Sequence, residues 1–495
     1  MQLKITNLSF THEGAYEPVF TDVNIVADTT WRTGLIARNG RGKTTLLRIL
    51  AGQLPCRGRI ECPLTPVYFP FAVEDPTQLT LFVMQSAAPD SQDWQLLREL
   101  NLLRVDEDVL YRPFDTLSQG EQTKALLAAL FSREDAYPLI DEPTNHLDVH
   151  GRELVADYLR RKDGFLLVSH DRAFLDRCID HVISINRSDI WVMQGHYSAW
   201  EARFNAQNAY EQARNEDLKR DIHRLEESAR RTAQWSAAAE KGKFHVAPSV
   251  SAVVDRGYVG AKAASMMKKS MNTIRRKERA IEEKQSLLHN VERVGELKLT
   301  NLHHPKDVLV TVENGIVAYD DRVVCENIAF QLRRGDRVAL TGPNGCGKSS
   351  ILKTLVGEGG GLQGGVRVAS GLTISYVPQK TDGLTGTMRD FIDQSGIDET
   401  LFKAILRNMD FTREMFDHRL EHMSQGQKKK VLLARSLCTP AHLYVWDEPL
   451  NYIDVFSRIQ LEQLIQESAP TLLIVEHDAA FLEHVCTRES IVLGI

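Results

Sequence analysis

The chain has no apolar stretch long enough to cross a membrane. A spanning helix needs roughly 18 or more apolar residues in a row, and the longest strongly apolar stretches are short, such as Ala125 to Phe131. The start, Met1-Gln2-Leu3-Lys4-Ile5, lacks the charged-then-apolar pattern of a secretion signal and opens like a strand. The seven cysteines are an odd number and form no CxxC pair. That argues against a disulfide framework or a structural zinc site and for reduced, buried thiols in a cytoplasmic protein. An overall basic excess is lacking too: the net charge is −6, so the total does not point to a nucleic-acid partner. What is present is ordinary for a globular protein, with 43% hydrophobic and 25% charged residues. At ~100–200 residues per domain, 495 residues leave room for two to four domains.

An internal repeat organises the chain. Ala37-Arg38-Asn39-Gly40-Arg41-Gly42-Lys43-Thr44 and Gly342-Pro343-Asn344-Gly345-Cys346-Gly347-Lys348-Ser349 are both phosphate-loop patterns, with their lysines 305 positions apart. Ser118-Gln119-Gly120 matches Ser424-Gln425-Gly426 at an offset of 306. Asp141-Glu142-Pro143 matches Asp447-Glu448-Pro449 at 306, and His170-Asp171 matches His477-Asp478 at 307. Four unlike motifs in one order at nearly one offset indicate a duplicated domain.

Between the copies the sequence changes character. His196 to Lys241 and Ala261 to Val294 contain no Gly or Pro and are rich in good helix formers. Leu218, Ile222, Leu225 and Ala229 step by 4, 3 and 4, while Met267, Ile274, Ile281 and Leu288 step by seven. One apolar stripe on each segment predicts a two-helix antiparallel coiled coil. The break between them, residues 242–260, holds Pro248, Gly257 and Gly260 and reads as an irregular tip. At ~1.5 Å per residue, a helix of about 40 residues would carry that tip roughly 60 Å away. Residues 230–279 hold twelve basic and three acidic side chains, a net of +9 inside a chain of −6. A projecting arm with that excess suits a phosphate backbone. Phe244, His245 and Tyr258 would either stack on bases or pin the turn.

The repeated motifs carry phosphate chemistry. Each phosphate loop should join a strand (Thr33 to Ala37; Arg337 to Thr341) to a helix (Thr44 to Leu50; Ser349 to Val356). Backbone N–H groups of Asn39, Gly40, Gly42 and Thr45, and of Asn344, Gly345, Gly347 and Ser350, would then cradle a triphosphate. Lys43 and Lys348 would reach the β- and γ-phosphates, and Thr44 and Ser349 would bind Mg²⁺. Asp141 and Asp447 end apolar runs, as strand-end carboxylates that hold Mg²⁺ do. Glu142 and Glu448 follow, placed to activate a water, and His170 and His477 read as γ-phosphate sensors. Pro138 is awkward inside a central strand, so that strand is expected to start there or bulge. Ser118 and Gly120, like Ser424 and Gly426, open helices and form a second anion site in each copy. Two such sites per copy imply that each serves the other copy's nucleotide.

This order of motifs resembles the ATP-binding cassette superfamily across nearly the whole chain. Two cassettes, no membrane span and an ~100-residue helical linker resemble its ABC-F subfamily. Asp-Glu-Pro-Thr-Asn-His-Leu-Asp at 141–148 is typical of it; Asp-Glu-Pro-Leu-Asn-Tyr-Ile-Asp at 447–454 is similar to Lsa- and Vga-type antibiotic-resistance members. The loop at 38–43 and Gly257 to Ala264 are also Lsa-like. The resemblance implies an α/β fold: two P-loop NTPase cassettes (1–195 and 299–495) joined by a long antiparallel coiled-coil linker (196–298). It implies ATP and Mg²⁺ as cofactors, with Gln379 as a further metal and nucleotide contact. Phe71 stands where cassettes carry that glutamine. Lysine-to-serine spacings of 75 and 76 leave no room for the inserted arm of housekeeping relatives. The implied function is an ATP hydrolase, monomeric with its cassettes paired, that binds the ribosomal E site. Its linker would reach rRNA and the P-site tRNA and protect against lincosamides, pleuromutilins and streptogramin A. A housekeeping translation factor, an exporter ATPase subunit and a DNA-acting relative are the alternatives.

Overall fold

A computed structural model of the protein describes residues 1–12, 18–145, 147–185, 190–241, 299, 301–319, 322–343, 345–359, 361–409 and 411–494. The chain divides into two compact units: residues 1–200 together with 294–495, and residues 201–293.

The larger unit holds both cassettes. The first is built from β1 (Gln2–Phe10), β2 (Phe20–Asp28), β3 (Arg32–Ala37), β4 (Arg57–Glu61), β5 (Thr65–Phe69), β6 (Ala136–Asp141), β7 (Phe165–Val168), β8 (His181–Ile185) and β9 (Ile190–Gln194). The second uses β10 (Val308–Tyr319), β11 (Arg322–Arg333), β12 (Arg337–Thr341), β13 (Leu362–Val368), β14 (Ile374–Val377), β15 (Leu443–Asp447), β16 (Leu472–Val475) and β17 (Ile491–Val492). The main sheets run β5-β6-β7-β3-β8-β9 and β14-β15-β16-β12-β17, the same five-strand order twice with β9 added at the edge of the first. All their pairs are parallel except β8–β9. Each cassette adds an antiparallel three-stranded sheet, β2-β1-β4 or β11-β10-β13. The central strands read as unbroken apolar runs because helices cover both faces of a parallel sheet. Leu139, Ile140, Leu166 and Leu167 are accordingly buried.

The phosphate loops leave the ends of β3 and β12, with one strand (β7 or β16) between them and the strands β6 and β15 that carry the Asp-Glu pairs, where parallel sheets bind ligands. Gly42 and Gly347 begin the following helices (Lys43–Leu50; Lys348–Val356) with φ of 84° and 94°. A Cβ on Gly42 would lie 2.5 Å from Val19 Cγ1, and one on Gly347 2.9 Å from Val317 Cγ1. Both positions therefore require glycine on conformation and on space.

Pro138 corrects an expectation. Strand β6 begins two residues earlier, at Ala136, and its ladder with β5 runs through Pro138 without a bulge. Strand β7 joins β6 only from Leu139, so the segment carrying Pro138 is paired on one side, as an edge strand is, where proline is tolerated.

The described residues of the smaller unit lie in the helix Tyr197–Lys241, which at ~1.5 Å per residue spans roughly 65–70 Å. Ile222 is buried and Leu218 and Leu225 are half-buried on an otherwise mostly exposed surface, as the apolar stripe requires. The expected tip at 242–260, the returning helix with Met267, Ile274, Ile281 and Leu288, and the aromatic residues Phe244, His245 and Tyr258 lie outside the described residues.

Candidate active sites

Two cavities form between the cassettes, each drawing on both. The first, about 340 Å³, brings Asn39, Gly40, Lys43, Thr44, Asp141, Glu142 and His170 opposite Ser424, Gly426 and Gln427. The second, about 760 Å³, brings Gly345, Gly347, Lys348, Ser349, Ser350, Gln379, Glu448 and His477 opposite Ser118, Gln119 and Gly120. The expected exchange of serine-glycine segments between copies is thus what the chain adopts. Asn39 Nδ2 donates to the Tyr452 carbonyl at 2.9 Å across the first cavity. Gly42, Thr45 and Asp447 lie outside the cavity linings, and Asn344 lies outside the described residues.

Local geometry aims the groups. Ser118 and Ser424 are N-caps of helices Gln119–Phe131 and Gln425–Cys438, each in a reciprocal box with Glu121 or Gln427. The helices start directly after the serines, so the positive end of each dipole sits at the serine itself. Glu142 and Glu448 adopt φ of 51° and 46°, a left-handed conformation that costs a non-glycine residue and concentrates at functional sites. Their N–H groups are held by the Val168 and Val475 carbonyls, both at 2.9 Å. The strand register thus fixes the backbone while the side chain turns toward the cavity.

Electrostatics differ between the two sites. Burial and the neighbouring Asp141 push the Glu142 carboxyl up to about 8, against the pull of Lys43 and Arg458. Burial, with Lys43 and Arg458, holds His170 well below its usual range. Burial, with Arg152 and Lys348, takes His477 down to about 4. Both imidazoles are therefore neutral at pH 7 and can donate or accept a hydrogen bond. His170 Nε2 lies 3.4 Å from Glu142 Oε1, and His477 Nε2 lies 3.9 Å from Glu448 Oε1. Lys43 Nζ donates to the Ala37 carbonyl at 2.7 Å, and Lys348 Nζ to the Gly342 and Pro343 carbonyls, both at 2.8 Å.

The two aspartates offer Mg²⁺ different surroundings. Asp447 is wholly buried and neither of its carboxylate oxygens has a hydrogen-bond partner. Burial raises it to about 6; the Ser349 hydroxyl, close by without hydrogen-bonding geometry, opposes that rise in part. A buried carboxylate with both oxygens free calls for a partner, and a hard divalent cation completed by phosphates and water supplies one. At the first site the Thr44 hydroxyl donates to Asp141 Oδ2 at 2.7 Å, so a metal there would replace a hydroxyl–carboxylate bond between two of its own ligands. Asp141, Thr44, Asp447 and Ser349 thus fit the cation that neutralises phosphate charge in such sites.

Several lining residues escaped sequence reasoning. Arg152 and Asn451 line both cavities, and Arg458 and Asn145 line the first. Arg152 Nη1 pairs with Asp171 at 2.9 Å and Arg458 Nη1 with Asp478 at 2.8 Å. The signal was available: both the arginines and the asparagines recur at the repeat's offset of 306. Tyr319, half exposed beside the second cavity, contacts the Ser350 hydroxyl through its own. Its positional counterpart is His12, whose Nε2 lies 3.4 Å from Thr45 Oγ1.

A family model described as "ABC transporter" matches residues 20–145 and 325–451, just over half of the chain. The ribosome protection protein VmlR of Bacillus subtilis is 28% identical across 99% of this chain and 86% of its own length. ABC transporter F family member 2 of Arabidopsis thaliana is 26% identical across 98% and 76%. Among solved structures, an archaeal ribosome recycling factor, aABCE1, in complex with the stalk protein aP1, shares the fold at a TM-score of 0.62. It is 20% identical over 94% of this chain and 83% of its own. No helix among the described residues is long and apolar enough to cross a membrane. With two family matches that coincide with the two nucleotide-loop cassettes, the chain belongs to the ABC transporter family, is an ATP hydrolase, and resembles the ABC-F proteins within it.

Proposed function

We propose that this protein is a ribosome-binding ATPase that protects the peptidyl-transferase centre from lincosamide, pleuromutilin and streptogramin A antibiotics. The observation that carries the reading is similarity to a ribosome protection protein over 99% of the chain, linker included. ATP binds at both cassette interfaces. Lys43 and Lys348 release their carbonyl partners to the phosphates, and the opposing Ser424 and Ser118 helix starts complete the anion site. Thr44 with Asp141, and Ser349 with Asp447 and Gln379, hold Mg²⁺. Glu142 and Glu448 accept a proton from the attacking water, while His170 and His477 touch the γ-phosphate. The domain division is 1–195, 196–298 and 299–495, and the basic stretch 230–279 meets rRNA and the P-site tRNA from the E site. The protein acts as a monomer in the cytoplasm.

The test is to replace both glutamates, Glu142→Gln with Glu448→Gln. With ATP this protein is expected to co-sediment with 70S ribosomes, and expression of the natural chain is expected to raise resistance to those drugs. Failure to co-sediment refutes ribosome binding. Co-sedimentation without any change in susceptibility identifies a housekeeping translation factor instead.

A further inference from the structure

Lys429 lies in the helix Gln425–Cys438, five residues after Ser424, and is 1% exposed. It lines neither cavity. Its ammonium has three donors and spends them on three backbone carbonyls: Pro378 at 2.8 Å, Gln379 at 3.2 Å and Asp447 at 3.1 Å. Those carbonyls belong to two segments that meet at the second site, the turn after β14 and the end of β15. Burial draws the ammonium down to about 8, against the attraction of Asp447, Glu476 and Glu448. Burying a charge costs several kcal/mol, and an apolar side chain of similar size is often as stable there.

The other cassette does without this charge. The position that corresponds to Lys429 is Thr123, whose hydroxyl donates within its own helix to the Gln119 carbonyl at 2.9 Å. That cassette also has Phe71 in place of Gln379. The buried ammonium accompanies the polar side chain and is missing where that side chain is missing.

We propose that Lys429 is a positioning residue of the second site: by tying the backbone of Gln379 to that of Asp447, it sets the amide and the carboxylate at one separation for one divalent cation. The inference rests on the reading of Gln379 and Asp447 as metal-side residues. Removing an outer partner of a metal site typically costs 10–100-fold in metal affinity.

The experiment uses the full chain carrying Glu142→Gln and Glu448→Gln, loaded with ATP, with Mn²⁺ binding read by electron paramagnetic resonance. The second-site class of Mn²⁺ is the one lost in Asp447→Asn. Lys429→Met keeps the apolar stem and removes only the ammonium; Lys429→Thr copies the first cassette and serves if methionine is not tolerated. The expected result is a second-site Mn²⁺ affinity weakened about tenfold, with metal-free ATP binding unchanged. Gln379→Ala should weaken it similarly, and the double variant should be no worse than Gln379→Ala alone. Independent, additive losses overturn the proposal, as does an equal loss of metal-free ATP binding. If Gln379→Ala weakens Mn²⁺ but Lys429→Met does not, the positioning role fails alone. If Gln379→Ala changes nothing, the metal-side reading of Gln379 fails with it.

Discussion

At the first site Asp141 accepts hydrogen bonds from Thr44 at 2.7 Å and from Tyr68 at 3.0 Å, both on Oδ2. At the second, Asp447 accepts none, and the corresponding Tyr376 hydroxyl is also unpartnered. Burial and Asp141 keep the Tyr68 phenol protonated, up to about 12, so it remains a donor to the carboxylate. Phe71 lines neither of these two cavities, whereas Gln379 lines the second. Two copies of one motif set have therefore become two different sites. The first satisfies its own aspartate and holds a glutamic acid raised to about 8. The second leaves both oxygens of its buried aspartate without a hydrogen-bond donor.

The difference breaks most sharply on hydrolysis. With its carboxyl near 8, Glu142 is only about one-tenth ionised at pH 7 and is a poor general base there. Replacing Glu448 by Gln should lower ATP turnover by about 10²-fold or more, while Glu142→Gln should cost much less. In the Glu448→Gln protein, residual turnover should climb about tenfold between pH 7 and 9 as Glu142 ionises. Equal losses from the two substitutions, or a flat profile in that protein, would sink the comparison.

The pairing of the cassettes is just as one-sided. Arg172 binds Glu462 across the interface, with Asp478 at 4.0 Å. Both members of the pair are largely buried, at 7% and 8% exposure. The positions related by the repeat, Ala479 and Ala156, carry no charge. Removing one member of a buried pair strands the other and costs about 3–5 kcal/mol. Arg172→Ala should lower stability by that amount in urea titration, and Arg172→Met with Glu462→Leu should recover most of it. A loss within error for Arg172→Ala would show that the interface does not depend on this clasp.

How much of this was legible beforehand follows from what a repeat can and cannot reveal. The offsets near 306 exposed the four repeated motifs, including the serines that cross to the opposite site, although the arginine and asparagine pairs at the same offset went unread. Strands ending at the motifs were legible, but their order in the sheet was not, because it depends on pairing between distant segments. Tyr68, Lys429 and Arg172 were not legible, because their roles depend on partners far away in sequence and each lacks an equivalent role in the other copy. Pro138 misled because propensity knows nothing of which neighbour strand arrives where. The tip of the arm, with Tyr258, remains an expectation from pattern alone.

Acid provides a gentler probe that both sites should answer in the same direction. In the fold His477 titrates near 4 and His170 well below its usual range; unfolded, each titrates near the ordinary value of about 6.5. The unfolded chain therefore binds protons first as pH falls below about 6.5. The stability contributed by neutral His477 should be lost progressively down to about pH 4, on the order of 3 kcal/mol. Urea midpoints at pH 7, 6 and 5 should fall less steeply in His477→Gln. An identical slope in that variant would mean that the fold does not lower the proton affinity of the imidazole.

The smallest effect expected is also the most direct test of how the first site became different. Phe71→Gln restores the residue type that the second cavity has at Gln379, but in a cassette where Tyr68 already binds the aspartate and Thr123 replaces the buried lysine. An amide added without its backbone anchor should tighten first-site Mn²⁺ binding by less than about tenfold. Adding Tyr68→Phe releases Asp141 Oδ2 from a neutral donor; a hydrogen bond to a charged group is worth about 1.5–3 kcal/mol, so the pair should exceed either change alone. If Phe71→Gln by itself brings the first site level with the second, the glutamine accounts for the whole difference and the environment of the two aspartates for none of it.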